Sequence, residues 1–231
     1  MLDFLNFLRG DTLTALSVVL RLLLAVICGG IIGLERERKR RPAGFRTHIL
    51  ICLGAAMTTL TSQYIILELG LHADPARLGA QVIAGIGFIG AGAIIVTRRR
   101  QVKGLTTAAG LWVSAIVGLC SGAGFFEGAI LATVIILTAE IVFSRLEYYI
   151  ISNSRSFNVY VEYSTNESLG LIIDTIKKKG GYIVDLEITK SSAQSKNPSV
   201  VFSLQTPRKT SHAEIMSHIA RTNGVVLVEE L

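Results

Sequence analysis

Long apolar runs separated by short polar or basic segments dominate the first two thirds of the chain. A membrane-spanning helix needs about 20 mostly apolar residues. The apolar stretch from Leu105 to Phe143 is too long for one such helix, and a Ser-Gly-Ala-Gly sequence divides it into two. The pattern therefore predicts a membrane domain within residues 1–150 with about five transmembrane helices, at 12–34, 48–67, 78–97, 105–120 and 125–143.

A different pattern begins near residue 155. Alternating apolar positions predict four strands, at 157–163, 182–188, 200–206 and 225–231. Apolar residues at helical spacing predict two helices, at 167–179 and 210–221. The order βαββαβ predicts an α+β domain over 155–231 with the ferredoxin-like arrangement, which ACT regulatory domains share. Because such folds serve many functions, ligand sensing and subunit pairing both stay open.

Composition and charge agree with a membrane protein. Half of the 231 residues are hydrophobic, 17% are charged, and the mean hydropathy is +0.52. Residues 1–151 carry 14 Lys and Arg against 9 Asp and Glu, so almost all of the net charge of +6 lies in the hydrophobic part. These charges form short clusters between apolar runs, which indicates a lipid bilayer rather than a nucleic acid as the partner.

The basic clusters predict the orientation. Six Lys and Arg lie between residues 35 and 46, and four lie between 98 and 103, whereas the other two connecting loops are poor in both. By the positive-inside rule the two basic loops are cytoplasmic. We therefore expect the amino terminus outside and the carboxyl-terminal domain in the cytoplasm. The first eleven residues contain two acidic residues and do not resemble a cleavable signal.

No catalytic constellation is visible in the sequence. A nucleophile elbow, a zinc-protease motif and a P-loop are all missing, and the four histidines have no nucleophile at a suggestive spacing. The three cysteines lie singly in apolar runs and match no zinc or disulfide pattern. We therefore expect no enzymatic activity and no cofactor. One or two carboxylates would suffice to hold Mg²⁺ with its waters, but many membrane proteins would meet that condition.

Charged residues in and beside the predicted spans are the main candidates for function. Arg21 lies ten residues into the first span, and a cation at mid-bilayer needs a partner or a water-filled cavity. The sequence offers four carboxylates as partners: Glu127, Glu140, Glu68 and Asp74.

Two further groups of polar residues each allow two interpretations. The first group joins the end of the first span to the start of the second, and its residues are Glu35, Arg36, Glu37, Arg46, Thr47 and His48. These residues could form an ion-pair network that stabilises the loop, or they could form a functional site at the cytoplasmic mouth. Asp74 precedes Pro75 and could cap the third helix, contribute to activity, or do both.

Glycines in the spans allow a structural and a functional interpretation. Gly85, Gly87 and Gly90 match a dinucleotide fingerprint, but they lie in an apolar run of membrane length without a βαβ unit. Small residues recur at helical spacing at Ala80, Ala84, Gly87 and Ala91, and again at Ala25, Gly29 and Gly33. Such faces let membrane helices approach closely. The alternative is a broken helix that lines a substrate path.

Several segments, taken together and in this order, resemble the MgtC/SapB family of bacterial inner-membrane proteins. They are RLLLAVICGGIIGLERE at 21–37, PAGFRTH at 42–48, DPARLGAQVIAGIGFIGAGAII at 74–95 and GLTTAAGLW at 104–112. The family pattern more often has Leu at the positions of Phe45 and Ile89, and Thr at that of Gly110, which puts a role for a hydroxyl there in doubt. The resemblance implies a bacterial inner membrane and a cytoplasmic ACT-related domain.

The resemblance also implies a function. We expect a non-enzymatic regulatory or accessory protein for adaptation to low Mg²⁺ or acid stress, acting through membrane partners such as the F-type ATP synthase. The alternative is an oligomeric transporter or channel for Mg²⁺, protons or another small ion. The candidate functional residues are Arg21, Glu35, Arg36, Glu37, Arg46, Thr47, His48, Asp74, Arg77, Gln81, Thr106 and Thr107. The candidate helix-packing residues are Gly29, Gly33, Gly85, Gly87, Gly90 and Gly92.

Overall fold

The structure is a computed structural model that describes residues 13–97, 101–152, 154–189, 197–206 and 211–231. The chain divides into two compact units, one up to Arg145 and one from Leu146 onward. We call them the membrane unit and the tail, and each is described by itself. The amino-terminal residues 1–12 and the three arginines at 98–100 lie outside the described residues.

The membrane unit is a bundle of apolar helices. Its helices are α1 Ala15–Arg38, α2 Phe45–Leu67, α3 Arg77–Ala93, α4 Leu105–Ala123 and α5 Phe126–Thr138. Among the described residues, α1, α2, α4 and the continuous segment Phe126–Glu147 are each long and apolar enough to cross a membrane. The helix α3 covers most of the third predicted span and has only 17 residues.

The last helix of the membrane unit does not end where the sequence predicted. The chain continues from α5 through a wide π-helical turn, Ala139–Phe143, into α6, Ser144–Ser152. Such turns insert one extra residue into a helical turn and are frequent at functional sites. Here the turn carries Glu140, whose partner is described below.

The third predicted span, 78–97, is wrong at its carboxyl end. The helix ends at Ala93, and the next residues form β1, Ile95–Val96, which pairs antiparallel with β2, Val102–Lys103. Four consecutive β-branched residues, at 94–97, favour this extended conformation. Gly104 then turns the chain into α4 with φ +99°, a left-handed conformation that only glycine adopts readily.

Glycines bring α2 into backbone contact with α1 on one side and α4 on the other. A Cβ atom on Gly29 of α1 would lie 2.7 Å from the backbone oxygen of His48, and one on Gly33 would lie 2.7 Å from Cα of Phe45. On α4, Cβ atoms at Gly118 and Gly122 would collide with the backbone oxygens of Cys52 and Ala56 in α2. These glycines permit the helix separation, because any side chain there would push the helices apart.

The tail has the predicted α+β fold. Its elements are β3 Ser156–Tyr163, α7 Asn166–Lys178, β4 Tyr182–Thr189, β5 Ser199–Gln205, α8 His212–Ala220 and β6 Val225–Glu230. The sheet order is β4-β5-β3-β6 and each neighbouring pair is antiparallel, as in the ferredoxin-like arrangement. The fold class predicted from the sequence, membrane helices followed by an α+β domain, is therefore confirmed.

Inward-facing residues of the strands and helices form the core of the tail. Strand β3 contributes alternate residues, among them Val159 and Val161, and the facing helices contribute Ile172, Ile176 and Ile219, all fully buried. Both helices begin at a hydroxyl cap: Thr165 accepts a hydrogen bond from the amide of Ser168, and Ser211 from that of Glu214. The alternation and the caps explain why the sequence predicted these elements well.

Replacing Gly118 by Val should destabilise the membrane unit. The new side chain would collide with the backbone of α2, and overpacking of this kind costs about 1–3 kcal/mol. We expect a lower midpoint for thermal unfolding of the full chain in detergent, followed by circular dichroism. Gly54→Val is the matched control, because Gly54 lies on an exposed side of α2 with no described atom within 4 Å of its Cβ position. Equal midpoints for both variants would contradict the packing role.

Candidate functional site

Two buried arginines mark the two ends of the membrane unit. Arg21 and Arg36 lie on the same buried side of α1, and each is only 2% exposed. They are 15 residues apart, which is about 22 Å along a helix axis. We call the regions around them the Arg21 end and the Arg36 end. A buried guanidinium is costly unless it is paired, so the partners of each arginine define what each end can do.

At the Arg36 end, α1 forms ion pairs with the π-helical turn. Arg36 pairs through Nη1 with the carboxylate of Glu140, and its Nε lies 3.8 Å from Oε2 of Glu35. Lys39 bonds Glu35 at 2.6 Å and donates to the backbone oxygen of Glu140 and, at 3.1 Å, to Oγ of Ser144. Glu35 and Glu140 are 11% and 15% exposed, so the cluster is largely shielded from solvent. Two cations and two carboxylates leave it electrically balanced.

His48 completes the Arg36 end from α2. Its ring is 1% exposed, and Nδ1 lies 3.0 Å from the carbonyl oxygen of Gly44, so Nδ1 carries a proton. Nε2 has no hydrogen-bond partner among the described atoms. A Cβ atom on Gly110 of α4 would lie 3.8 Å from Nε2. Glycine therefore stands where a Thr hydroxyl, more usual in the family pattern, would come within reach of that nitrogen.

The neighbouring loop is more exposed than the ion-pair cluster. Oε2 of Glu37 accepts a hydrogen bond of 2.9 Å from the amide of Phe45 and so caps α2. Glu37, Arg41, Arg46 and Thr47 help to line an open depression of about 680 Å³. The sequence placed Glu35, Arg36 and Glu37 opposite Arg46, Thr47 and His48 as one group. The structure separates a buried cluster, with Glu35, Arg36 and His48, from an exposed rim, with Glu37, Arg46 and Thr47.

At the Arg21 end, the guanidinium donates hydrogen bonds to groups of α2 and α4. Nη1 of Arg21 donates to Oε1 of Gln63 in α2 at 2.6 Å and to the carbonyl oxygen of Gly122 in α4 at 3.1 Å. Ser121 donates from Oγ to the backbone oxygen of Arg21 at 2.7 Å. Gly124 has φ +78°, and a Cβ there would lie 3.1 Å from Nη2, so glycine also leaves room for the guanidinium. One arginine thus connects α1, α2 and α4.

Two expectations about Arg21 need correction. The helix runs from Ala15 to Arg38, so Arg21 lies in its second turn, closer to the start of the helix than the predicted span implied. Of the carboxylates offered as its partners, Glu140 lies at the other end and pairs with Arg36, while Asp74 bonds its own loop. Sequence spacing could not show this, because it does not reveal which ends of distant helices meet.

A layer of small apolar residues separates the two ends. Residues of all four contacting helices form it, and they are Ala25, Cys28, Cys52, Ala56, Val117 and Ala129. Each is no more than 3% exposed. Two buried hydroxyls also lie at this level, those of Ser114 and Thr133, and each donates to a backbone oxygen of its own helix. In the described part of the membrane unit, the buried charged side chains are therefore divided between the two ends.

Asp74, Arg77 and Gln81 lie on the surface at the beginning of α3. Capping of this helix was one of the two roles considered for Asp74, but its Oδ1 accepts from the amide of Ala76, the residue before the helix, at 2.9 Å. The backbone of the same loop is attached to α2, since Ser62 donates to the carbonyl oxygen of Pro75 at 3.0 Å. Asp74 thus shapes the loop, and it also lines a second open depression of about 410 Å³.

The remaining candidates differ in their surroundings. Thr107 is buried in the first turn of α4 and Thr106 is exposed. A Cβ on Gly90 would contact Ala108 at 3.4 Å, whereas Cβ positions at Gly85, Gly87 and Gly92 have no described atom within 4 Å. These last three do not pack within the described chain, because α3 contacts the bundle on one side only. Among the described residues, no group of three or more His, Cys, Asp or Glu side chains could hold a metal ion.

Sequence reasoning missed several residues of these two ends. Lys39 was counted only as part of a basic loop, and Gln63 was not considered at all. Glu140 was named, but for the wrong arginine. A signal existed for Gln63, which is an amide near the end of an apolar helix. A signal also existed for Gly118, in the fourth predicted span, and for Gly122, four residues later and just beyond that span.

These features define a class: a multi-pass helical membrane protein with buried charges at both ends of its bundle and an α+β tail. The chain belongs to the MgtC family, whose model matches residues 22–149. That match includes the Arg36 end and the apolar layer, begins one residue after Arg21, and ends before the tail's first strand. No solved structure matches the chain.

Three relatives illustrate the family relationship. A protein of Haemophilus influenzae is 35% identical over 77% of this chain and 78% of its own length. The Escherichia coli K12 protein named "Putative magnesium transporter YhiD" is 41% identical over 59% of this chain and 65% of its own. The protein MgtC of Salmonella typhimurium is 44% identical over 54% of this chain, which spans about half of MgtC.

Removing the Glu140 carboxylate should destabilise the membrane unit through Arg36. In Glu140→Gln a buried guanidinium loses its ionic partner, and breaking such a pair from one side costs about 3–5 kcal/mol. Adding Arg36→Met should recover much of the loss, because the double variant leaves no unpaired charge. Thermal unfolding of all three variants in detergent forms a double-mutant cycle.

Glu147→Gln is the control for this cycle, because Glu147 lies on the same continuous segment but is exposed. Additive losses from Arg36→Met and Glu140→Gln would show that the two side chains do not depend on each other.

Proposed function

We propose that the chain is a non-enzymatic regulatory or accessory protein of the bacterial inner membrane that serves adaptation to low Mg²⁺ or acid stress. Membership of the MgtC family and the name of YhiD support a link to magnesium. The stress role and the F-type ATP synthase as a candidate partner come from the resemblance to the MgtC/SapB family. The proposed orientation has the tail and the Arg36 end in the cytoplasm, supported by the basic loops.

The apolar layer between the two buried arginines is the observation that carries this proposal. A transport path needs polar groups or water along its length, since an ion in an apolar layer loses its hydration without compensation. The described interior instead has small, mostly apolar side chains at mid-bundle, packed at backbone contact, and its two hydroxyls there, of Ser114 and Thr133, are bonded to their own helices. Such an arrangement suits a rigid body that presents surfaces to partners. The tail then acts as a sensing or pairing module.

Charges buried at both ends of one helix favour the alternative of an oligomeric transporter or channel. Arg21 and Arg36 are held mostly by side chains and carbonyl groups of neighbouring helices, as in alternating-access proteins whose path opens from one side at a time. In that case Asp74, Arg77 and Gln81 would lie near an entrance at the Arg21 end. Five helices are few for a monomeric transporter, so this path would form only in an oligomer.

Transport assays distinguish the two functions. We expect liposomes that contain the purified chain to show no Mg²⁺ or proton flux above that of empty liposomes, because the apolar layer blocks the interior. Flux that is lost in Asp74→Asn but kept in Asp185→Asn, a tail control, would reverse our ranking. The measurement uses an entrapped Mg²⁺-sensitive or pH-sensitive dye.

Co-purification tests the regulatory role directly. Purified from native membranes in mild detergent after growth in low Mg²⁺, the chain should carry at least one other membrane protein, identified by mass spectrometry. If the Arg36 end shapes the binding surface, Glu140→Gln should reduce the amount of partner protein that is recovered with the chain. Glu147→Gln should leave that amount unchanged. Recovery of the chain with no other protein would count against the proposal.

A further inference from the structure

We propose that the open face of α3 is a contact surface between two copies of this chain, with Gln81 and Phe88 at its centre. This inference is independent of the proposed function. It starts from the one-sided packing of α3, which contacts α4 through Gly79, Ile86 and Gly90. Its opposite side is exposed, and Phe88 there is 86% exposed.

The surroundings of Phe88 are unusual for a face covered only by lipid. On a helix surface, the neighbours of a residue lie three and four positions away. For Phe88 these neighbours are Ala84, Gly85, Ala91 and Gly92. All four are alanine or glycine, the two smallest residue types. Neither glycine has a described atom within 4 Å of its Cβ position. The face therefore presents one large ring in a shallow hollow, a shape into which the ring of an identical helix fits.

Gln81 adds a hydrogen-bonding observation to this shape. It lies seven residues before Phe88, so it shares the stripe formed by positions 81, 85, 88 and 92, and it is exposed in an otherwise apolar helix. An amide facing lipid leaves two donors and an acceptor unsatisfied. Because an amide both donates and accepts, two copies of Gln81 satisfy each other, and polar side chains of this kind join membrane helices by about 0.6–2 kcal/mol.

Symmetry selects a second copy over other occupants. All copies share one orientation in the membrane, so a two-fold axis along the membrane normal pairs α3 with α3 in parallel. That arrangement brings Gln81 opposite Gln81 and each Phe88 beside the hollow of the other copy. Two rings alone would bury about 300–500 Å². Ile83 and Ile89, 39% and 49% exposed, flank the stripe and enlarge the contact.

The length of α3 points the same way. Its 17 residues extend about 26 Å, which is short for a hydrocarbon core of about 30 Å. Association with another helix is one way by which a short membrane helix relieves this mismatch. The four described helical segments that are long enough to span a membrane have 19 to 24 residues, so α3 is the shortest of the apolar helices among them and the most strongly mismatched.

Energy transfer between donor- and acceptor-labelled copies of the full chain in liposomes tests the surface. We expect transfer that falls as lipid dilutes the protein. Gly85→Ile with Gly92→Ile fills the hollow and should weaken association roughly tenfold or more, as the loss of about 1.4 kcal/mol would do. Phe88→Ala should act in the same direction. Gly54→Ile, an equally open glycine on α2, should leave the transfer unchanged.

Disulfide trapping locates the contact. Gln81→Cys should form a cross-linked dimer on mild oxidation in liposomes, whereas Thr61→Cys, exposed near the same end on α2, should not. The thermal unfolding midpoints of all these variants in detergent should match that of the natural chain, since the substituted side chains lie on exposed sides of α2 and α3. Three results would each overturn the proposal. They are an absence of energy transfer at every lipid-to-protein ratio, a loss of transfer in Gly54→Ile equal to that in the α3 variants, and as much cross-linked dimer from Thr61→Cys as from Gln81→Cys. Because the assay contains no other protein, its failure leaves the proposed function untouched.

Discussion

The contact of α2 with α1 on one side and α4 on the other is the constraint on which the membrane unit depends. Lipid gives no hydrophobic drive for helices to associate, so packing attraction and hydrogen bonds must hold the bundle together. Gly29 and Gly33 on α1, and Gly118 and Gly122 on α4, let the backbones meet. With the backbones so close, the middle of the bundle accommodates mainly small side chains such as Ala25, Cys52 and Ala56. Large polar side chains are confined to the ends.

The described contacts of the two buried arginines involve different kinds of group. Arg36 is held by carboxylates, in a balanced cluster whose members come from α1 and the π-helical turn. Arg21 is held at least in part by an amide and a backbone carbonyl, which leave its positive charge intact. Loss of a carboxylate would therefore disturb the Arg36 end far more than these contacts of the Arg21 end.

The tail could be predicted from the sequence almost residue by residue, because its signals are local. Alternation around Val159, a hydroxyl cap at Thr165 and glycines after α7 each specify a short segment without reference to the rest of the chain. The prediction of where α3 ends was wrong for a related reason. The residues at 94–96 are hydrophobic enough to extend a predicted membrane span, but they are β-branched and favour a strand. The partners of Arg21 and Arg36 could not be predicted, since they depend on which ends of distant helices meet.

Glycine spacing alone does not distinguish contacts inside the chain from contacts outside it. Gly29 and Gly33 repeat at four residues and face α2, whereas Gly85 and Gly92 bracket Phe88 on a face that meets no described neighbour. The two sets differ in their larger neighbours. Cys28 and Ile32, which are adjacent to Gly29 and Gly33, are buried, whereas Phe88, which lies between Gly85 and Gly92, is exposed. A small residue with buried neighbours indicates closed packing, and a large exposed ring among small residues indicates a surface that another helix completes.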